Sequence, residues 1–385
     1  MTGDRPAPGT SSTAGTAAVP GTLAELTTFH LGGPLPDLTV AHTAEDLADF
    51  GRAHPLDPSA HGDPAVLFIG GGSNILAGDS GFAGPACLVA TRGIQESAHG
   101  TRTLVTAQAG EVWDEFVAWT LDHGLSGLEA LSGIPGTVGA APVQNIGAYG
   151  CEVAELIESV RVFDRVAGQA QRLPAERLQF SYRNSLLKRA AAEFGEPRYI
   201  VLEVCFALER GRESAPVRYG QLAAELEVAI GQTADPAAVR TAVLHLRASK
   251  GMVLDPADHD TWSAGSFFTN PIVARDFVLP DGAPSYPVHD PLTGVVDPQV
   301  QKTSAAWLID HAGFAKGYGL PRADGRPPAA SLSTKHTLAL TNRGAARTAD
   351  LLELARRIQA GVHERFGIVL VPEPNLVGCS LDSEE

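Results

Sequence analysis

The chain has 385 residues, 44% hydrophobic and 19% charged, with a formal net charge of -15. That length exceeds one ordinary core and predicts two or three domains, while the acidic balance excludes the basic face that nucleic-acid binding requires. Four scattered cysteines, Cys87, Cys151, Cys205 and Cys379, form no C-x-x-C pair, which suits a reducing compartment and offers no metal site.

Residues 1–20 are mostly Gly, Ser, Thr, Ala and Pro without an apolar centre, so they read as a disordered tail and not as a signal peptide. No apolar run is long enough to insert into a membrane, and the cytoplasm is the expected location. A strand through 38–40, a helix over 44–53 and a strand at 66–69 predict a small α+β unit. That last strand breaks at once into Gly70, Gly71 and Gly72, followed by Ser73 and Asn74. Such a run is either a tight turn or a nest of amides for an anion, phosphate above all. Neither G-x-G-x-x-G opening a helix nor G-x-x-x-x-G-K-[ST] is present to decide between them.

The next segment, LVTAQAGEVWDEFVAWTLDHG, predicts a strand and then a helix with Trp113, Phe116, Val117, Thr120 and Leu121 on one face. Strands follow at 159–163 and 200–208. A helix over 236–249 opens with Asp235 as its cap and Pro236 at its first position. Beyond Lys250, SAAWLIDHAG reads as helix, STKHTLALTN as strand and DLLELARRIQAGVHERFG as an amphipathic helix. A final strand is expected at 368–371, before Pro372, Glu373 and Pro374.

GLSGLEALSGIPGTVGAAPVQNIGAYG, residues 124–150, is too rich in glycine for a helix or strand, yet it carries apolar residues that would bury. A long ordered loop in a compact domain is usually functional. Ser132, Gly133, Ile134, Pro135 and Gly136 make a second amide nest, and Gln144, Asn145 and Tyr149 add hydrogen-bonding side chains. Two nests point to a diphosphate ligand; an ordered loop without a ligand is the alternative.

GGGSNILAGDSGFAG, GLEALSGIPGTVGAAPVQNIGAYG, SYRNSLLK, SAGSFFTNP and VPEPNLVG, in this order, closely resemble the UDP-N-acetylenolpyruvoylglucosamine reductase (MurB) family, as does TTFHLGGP at 27–34. The resemblance runs from about residue 22 to 378. It implies an α+β protein: a two-part FAD-binding module of the vanillyl-alcohol-oxidase (PCMH) type plus a C-terminal α+β substrate domain. The expected divisions are 21–96 and 97–249 for the two FAD-binding subdomains, 250–360 for the substrate domain, and 361–385 for a strand returning to the FAD module and a tail. The implied cofactor is non-covalently held FAD, with NADPH as co-substrate and UDP-N-acetylglucosamine enolpyruvate as substrate, in a monomer. The glycine runs would then face the FAD pyrophosphate, and the resemblance adds Gly139, Gly147 and Ala148 to the cofactor contacts.

Hydride delivered to the terminal carbon of an enol ether leaves enolate character at the carboxylate-bearing carbon, and that charge must be stabilised. Within the resemblance Arg183 is the cation, since guanidinium pairs bidentately with a carboxylate. Glu373 would share a proton with the enolate, and Ser266 would protonate it. Tyr219 in VRYGQL, Lys250 in RASK and Asn270 in FTNP are the expected sugar-nucleotide contacts. Each of these residues also has an ordinary surface reading. Thr269 and Asn375 stand where relatives are often basic, which predicts fewer charges on the substrate. A flavin oxidase of the same architecture acting on another small molecule, or a nucleotide-sugar binding protein without turnover, are the competing readings.

Overall fold

The computed structural model describes residues 20–57 and 64–382. The tail expected over 1–20 lies, apart from Pro20, outside them.

Three parallel strands make the first sheet, with Ala86–Val89 between Leu38–Ala41 and Leu67–Ile69. The helix Ala44–Ala53 begins at Thr43, whose hydroxyl accepts the Asp46 N–H at 3.1 Å while the Asp46 carboxylate accepts the Thr43 N–H at 2.9 Å. This reciprocal cap satisfies two amides that the helix itself leaves unbonded. Leu47 and Phe50 on its buried face meet Phe163 and Ile200 of a second sheet.

That second sheet is antiparallel, in the order Gln169–Pro174, Ile157–Asp164, Tyr199–Arg210, Arg102–Gln108 and Ile94–His99. The helix Trp113–Asp122 covers it, and Phe116 lies 5.1 Å from Phe206, ring to ring. The helix Pro236–Ser249 opens on Asp235, whose carboxylate accepts two amides at 2.9 and 3.0 Å, as its sequence predicts.

A third body is built on the helices Ala305–His311 and Thr348–Phe366. Its core of Phe267, Phe268, Leu308, Leu340, Leu351 and Ile358 continues into Phe29 and Leu76, so it is joined to the first body through buried side chains. The chain end returns as Asn375–Val377, parallel to Ile75–Ala77, immediately after the first glycine loop.

Several expectations shift. The strand expected at 368–371 is not formed: its end makes only isolated contacts, Thr269 N–H to the Val371 carbonyl and a bridge between Phe268 and Pro372, and regular pairing starts at Asn375–Val377, after the prolines. Of STKHTLALTN only Leu340–Asn342 is a strand. The Ser333 hydroxyl accepts the amides of Lys335 and His336 at 3.0 and 3.3 Å and bends the rest into a turn. The divisions expected at 96/97 and 360/361 fall inside Ile94–His99 and Thr348–Phe366, whose hydrogen bonds run across both cuts. Among the described residues no helix is long and apolar enough to cross a membrane.

Candidate active site

A cavity of about 600 Å³ is lined by all three bodies, a volume within the range of ligand pockets. Gly70, Gly71, Gly72, Ser73 and Asn74 line one side, and Ile134, Pro135 and Gly139 face them. The two loops are pressed together. A Cβ on Gly71 would lie 2.7 Å from the Gly136 Cα, and one on Gly72, whose φ is +60°, would lie 1.7 Å from the Leu26 carbonyl oxygen. The Ser73 hydroxyl donates to the Pro135 carbonyl at 3.1 Å. Glycine is therefore required here for close approach as well as for the turn. The N–H groups of residues 71–74 donate to no protein acceptor among the described residues.

In the second loop the N–H groups of Ile134, Gly136 and Thr137 likewise donate to no acceptor among the described residues, but three others are taken. Ser132 N–H bonds the Glu129 carbonyl, Gly139 N–H bonds that of Ala109, and Gly133 N–H donates to Asp114 at 2.5 Å. Arg240 grips the same Asp114 with two bonds of 2.6 and 2.8 Å. Burial pushes the Asp114 carboxyl up, but Arg240 and the Gly133 amide outweigh it and hold it below the usual carboxylate range.

At the reacting end, Arg183 Nε stands 3.2 Å from Glu373 Oε1. The contact is an ion pair without hydrogen-bond alignment, since the buried Nε has no aligned acceptor. Burial works against the charge on Arg183, and Glu373, Tyr182 and Glu152 together raise its pKa above the usual value. Gln144 donates to Glu373 Oε1 at 3.4 Å, and Asn74 donates to Gln144 at 2.9 Å and to the Glu373 carbonyl at 3.3 Å. One polar chain thus ties the first glycine loop, the long loop, Arg183 and the chain end. Ser266 lines the same cavity. It is brought beside Glu373 by the backbone, because Glu373 N–H donates to the Phe267 carbonyl at 2.8 Å. Among the described residues nothing hydrogen-bonds the Ser266 hydroxyl.

Gly147 also lines the cavity, but Ser132, Gly133, Gly136, Asn145, Ala148 and Tyr149 do not. Of the second nest, Ile134 and Pro135 form the cavity wall itself. Ser132 is fully buried and donates to the Glu129 carbonyl at 2.7 Å. Asn145 is consumed by Glu152 and the Ser181 carbonyl, at 2.6 and 3.1 Å. Tyr149 instead meets Tyr219 edge-on, ring centroids 5.6 Å apart, with Lys250 Nζ 5.7 Å from the Tyr149 ring. These three form a second group outside the cavity wall. Burial, reinforced by Arg247, lowers the Lys250 pKa. The Asn270 side-chain Oδ1 accepts the Ala305 N–H at 2.9 Å at the start of a helix.

Two wall cations escaped the sequence reading. Arg247, 8% exposed, donates to the Met252 carbonyl at 3.0 Å, but its buried Nε has no partner. Burial pushes its pKa down to about 10. Lys188 stands within SYRNSLLK itself and lines the cavity near Arg183. Unbonded successive amides and a buried guanidinium whose Nε has no partner, both on the cavity, fit an anionic dinucleotide.

Two lobes whose glycine loops meet under one cavity, closed by a third body, define a flavin-dinucleotide enzyme. Residues 56–173 match the model of the FAD binding domain, and residues 255–377 match that of the UDP-N-acetylenolpyruvoylglucosamine reductase C-terminal domain. A UDP-N-acetylenolpyruvoylglucosamine reductase of Mycobacterium avium is 53% identical over 83% of this chain and 84% of its own. That of Cutibacterium acnes is 50% identical over 84% and 82%. The crystal structure of the Thermus caldophilus reductase (MurB) superposes with a TM-score of 0.59 at 26% identity, over 92% of this chain and 97% of that one. The chain belongs to the UDP-N-acetylenolpyruvoylglucosamine reductase (MurB) family. It is an FAD-dependent oxidoreductase of peptidoglycan precursor synthesis with NADPH as co-substrate, and its fold class is the expected two-part FAD-binding module with a C-terminal α+β domain.

Proposed function

We propose that Arg183, Glu373 and Ser266 carry the reduction of UDP-N-acetylglucosamine enolpyruvate to UDP-N-acetylmuramate. The observation that supports this most is their convergence on one cavity from segments far apart in sequence. FAD held at the glycine loops would supply the hydride, drawn from NADPH, that the terminal carbon of the enolpyruvyl group needs. Arg183 pairs with the substrate carboxylate and stabilises the negative charge that develops beside it. Glu373, held by Gln144, shares a proton with the developing enolate. The Ser266 hydroxyl, which has no competing acceptor among the described residues, delivers the proton that completes the saturated lactyl ether.

The amides of 71–74 and the Arg247 guanidinium hold the cofactor. Tyr149, Tyr219 and Lys250 receive the sugar nucleotide, and Tyr219, 43% exposed, closes over it and excludes water. The lobes divide near residues 93 and 250, where the first sheet ends and the helix Pro236–Ser249 stops. The reading includes a monomer acting in the cytoplasm: one chain supplies the whole constellation, and the four cysteines are free thiols.

The test is anaerobic. NADPH is added to the purified flavoprotein until the flavin is bleached, and the enolpyruvyl sugar nucleotide is then mixed in. Reoxidation with formation of UDP-N-acetylmuramate is the expected outcome. A flavin that NADPH reduces but the sugar nucleotide leaves bleached would sink the reading.

A further inference from the structure

Arg183 adopts φ +53°, a left-handed conformation that side chains other than glycine rarely take. Two bonds of 3.0 Å between Ser181 and Asn184 close the turn on either side of it. Neither touches the Arg183 carbonyl. Among the described residues the one donor to that oxygen is Lys188 Nζ, at 3.3 Å. Lys188 projects from the helix Leu186–Phe194, whose start is tied down by Ser185. The Ser185 hydroxyl accepts the Lys188 N–H at 3.2 Å and donates to the Val143 carbonyl of the long loop at 2.6 Å. No carboxylate of the described residues comes within ion-pair distance of the Lys188 ammonium, although that ammonium is partly buried on the cavity wall.

We propose that Lys188 is a positioning residue for Arg183: its ammonium, donated to the Arg183 carbonyl, holds the left-handed turn from which the guanidinium reaches Glu373. A partly buried cation without an ion partner is less favourable than a solvated one, and a lysine stem alone would fill this wall equally well as methionine. The charge is retained at a carbonyl whose peptide must otherwise stay in a disfavoured conformation. The inference rests on the role given to Arg183 above and goes beyond it by naming what fixes that residue.

A double-mutant cycle on the flavin-loaded enzyme separates the two. Lys188→Met, Arg183→Gln, the double variant and Lys188→Arg are compared at equal flavin content and thermal midpoint. Lys188→Met is expected to slow reoxidation by the enolpyruvyl sugar nucleotide roughly 10- to 100-fold, the range of a coupled pair. Reduction by NADPH, and FAD affinity measured by flavin fluorescence on the apo-protein, should stay within about 3-fold. Lys188→Arg keeps the donor and restores most of the rate. In the Arg183→Gln background Lys188→Met should add almost nothing. Full additivity there, or an unimpaired Lys188→Met, overturns the inference while leaving the Arg183 reading intact. An Arg183→Gln enzyme as fast as the parent overturns both.

Discussion

Gly72→Ala tests the cradle most directly. The new Cβ would sit 1.7 Å from the Leu26 carbonyl oxygen, where an ordinary contact needs roughly 3.5 Å. The loop must therefore retreat by about 2 Å or the Leu26 peptide must turn away. Retreat breaks the bond from Thr28 N–H to the Gly72 carbonyl, 3.2 Å long, at about 1 kcal/mol. The positive φ adds about 1 to 3 kcal/mol for a residue with a side chain. Together these raise the free energy of the FAD-binding loop conformation by about 2 to 4 kcal/mol, which weakens FAD binding by roughly 30- to 1000-fold. The measurements are flavin content after purification and FAD titration of the apo-protein. Gly100→Ala is the control, since it carries the same kind of φ, +61°, with nothing within 4 Å of its Cβ. It should lower thermal stability through the backbone alone and leave FAD affinity unchanged. A Gly72→Ala protein that purifies flavin-replete, with affinity within about 3-fold of the parent, would refute the reasoning.

Three further outcomes are expected. Ser266→Ala should leave reduction by NADPH nearly intact and slow reoxidation by the enolpyruvyl sugar nucleotide by roughly 100- to 10,000-fold in anaerobic stopped flow; equal slowing of both halves would point to lost flavin instead. Asp114→Asn removes the anion that Arg240 and the Gly133 amide share, so the second loop should loosen and FAD affinity fall by about 10-fold, an effect of about 1 to 2 kcal/mol. Unchanged affinity with a lowered thermal midpoint would assign Asp114 to stability alone. His336 is held neutral, its pKa pushed from 6.5 down to about 4 by burial and then by Lys250 and Lys316. Because the folded value lies below the unfolded one, its contribution is complete above about pH 6.5 and is lost as pH falls towards 4, by about 3 kcal/mol at most. Between those values His336→Gln should flatten the acid decline in thermal midpoint; a parallel decline in both proteins would show that other groups set it.

How much of this was legible in the chain depended on whether the signal was local. The helix Ala44–Ala53 and the Asp235 cap follow from neighbours three residues apart and were found with their ends. Gly70, Gly71 and Gly72 were legible as bare backbone, but turn and nest could not be separated, because the partners that demand glycine, Leu26 and Gly136, lie far off in sequence. Arg183, Glu373 and Ser266 carry no chemical signal of their own. They were named through a family resemblance, and folding brings them to one cavity. Arg247 and Lys188 went unnoticed because a cation on a helix ordinarily marks a solvated face, and only burial without an ion partner distinguishes them.

The second nest is mixed: the amides of Ser132, Gly133 and Gly139 have protein acceptors, and those of Ile134, Gly136 and Thr137 have none among the described residues. An amide binds an anion only if no protein acceptor has taken it. Gly133 is claimed by Asp114, and Ser132 is turned inward by Glu129. The amides of 71–74 remain free because their loop sits between a strand end and Leu26, with no acidic side chain bonded to it. Both loops therefore offer donors, and the second is in addition braced by Asp114 and Arg240, which hold it against the first. Weakening the brace at Asp114 should therefore cost less cofactor affinity than moving the 71–74 backbone, because it loosens the second loop without removing a donor amide from either.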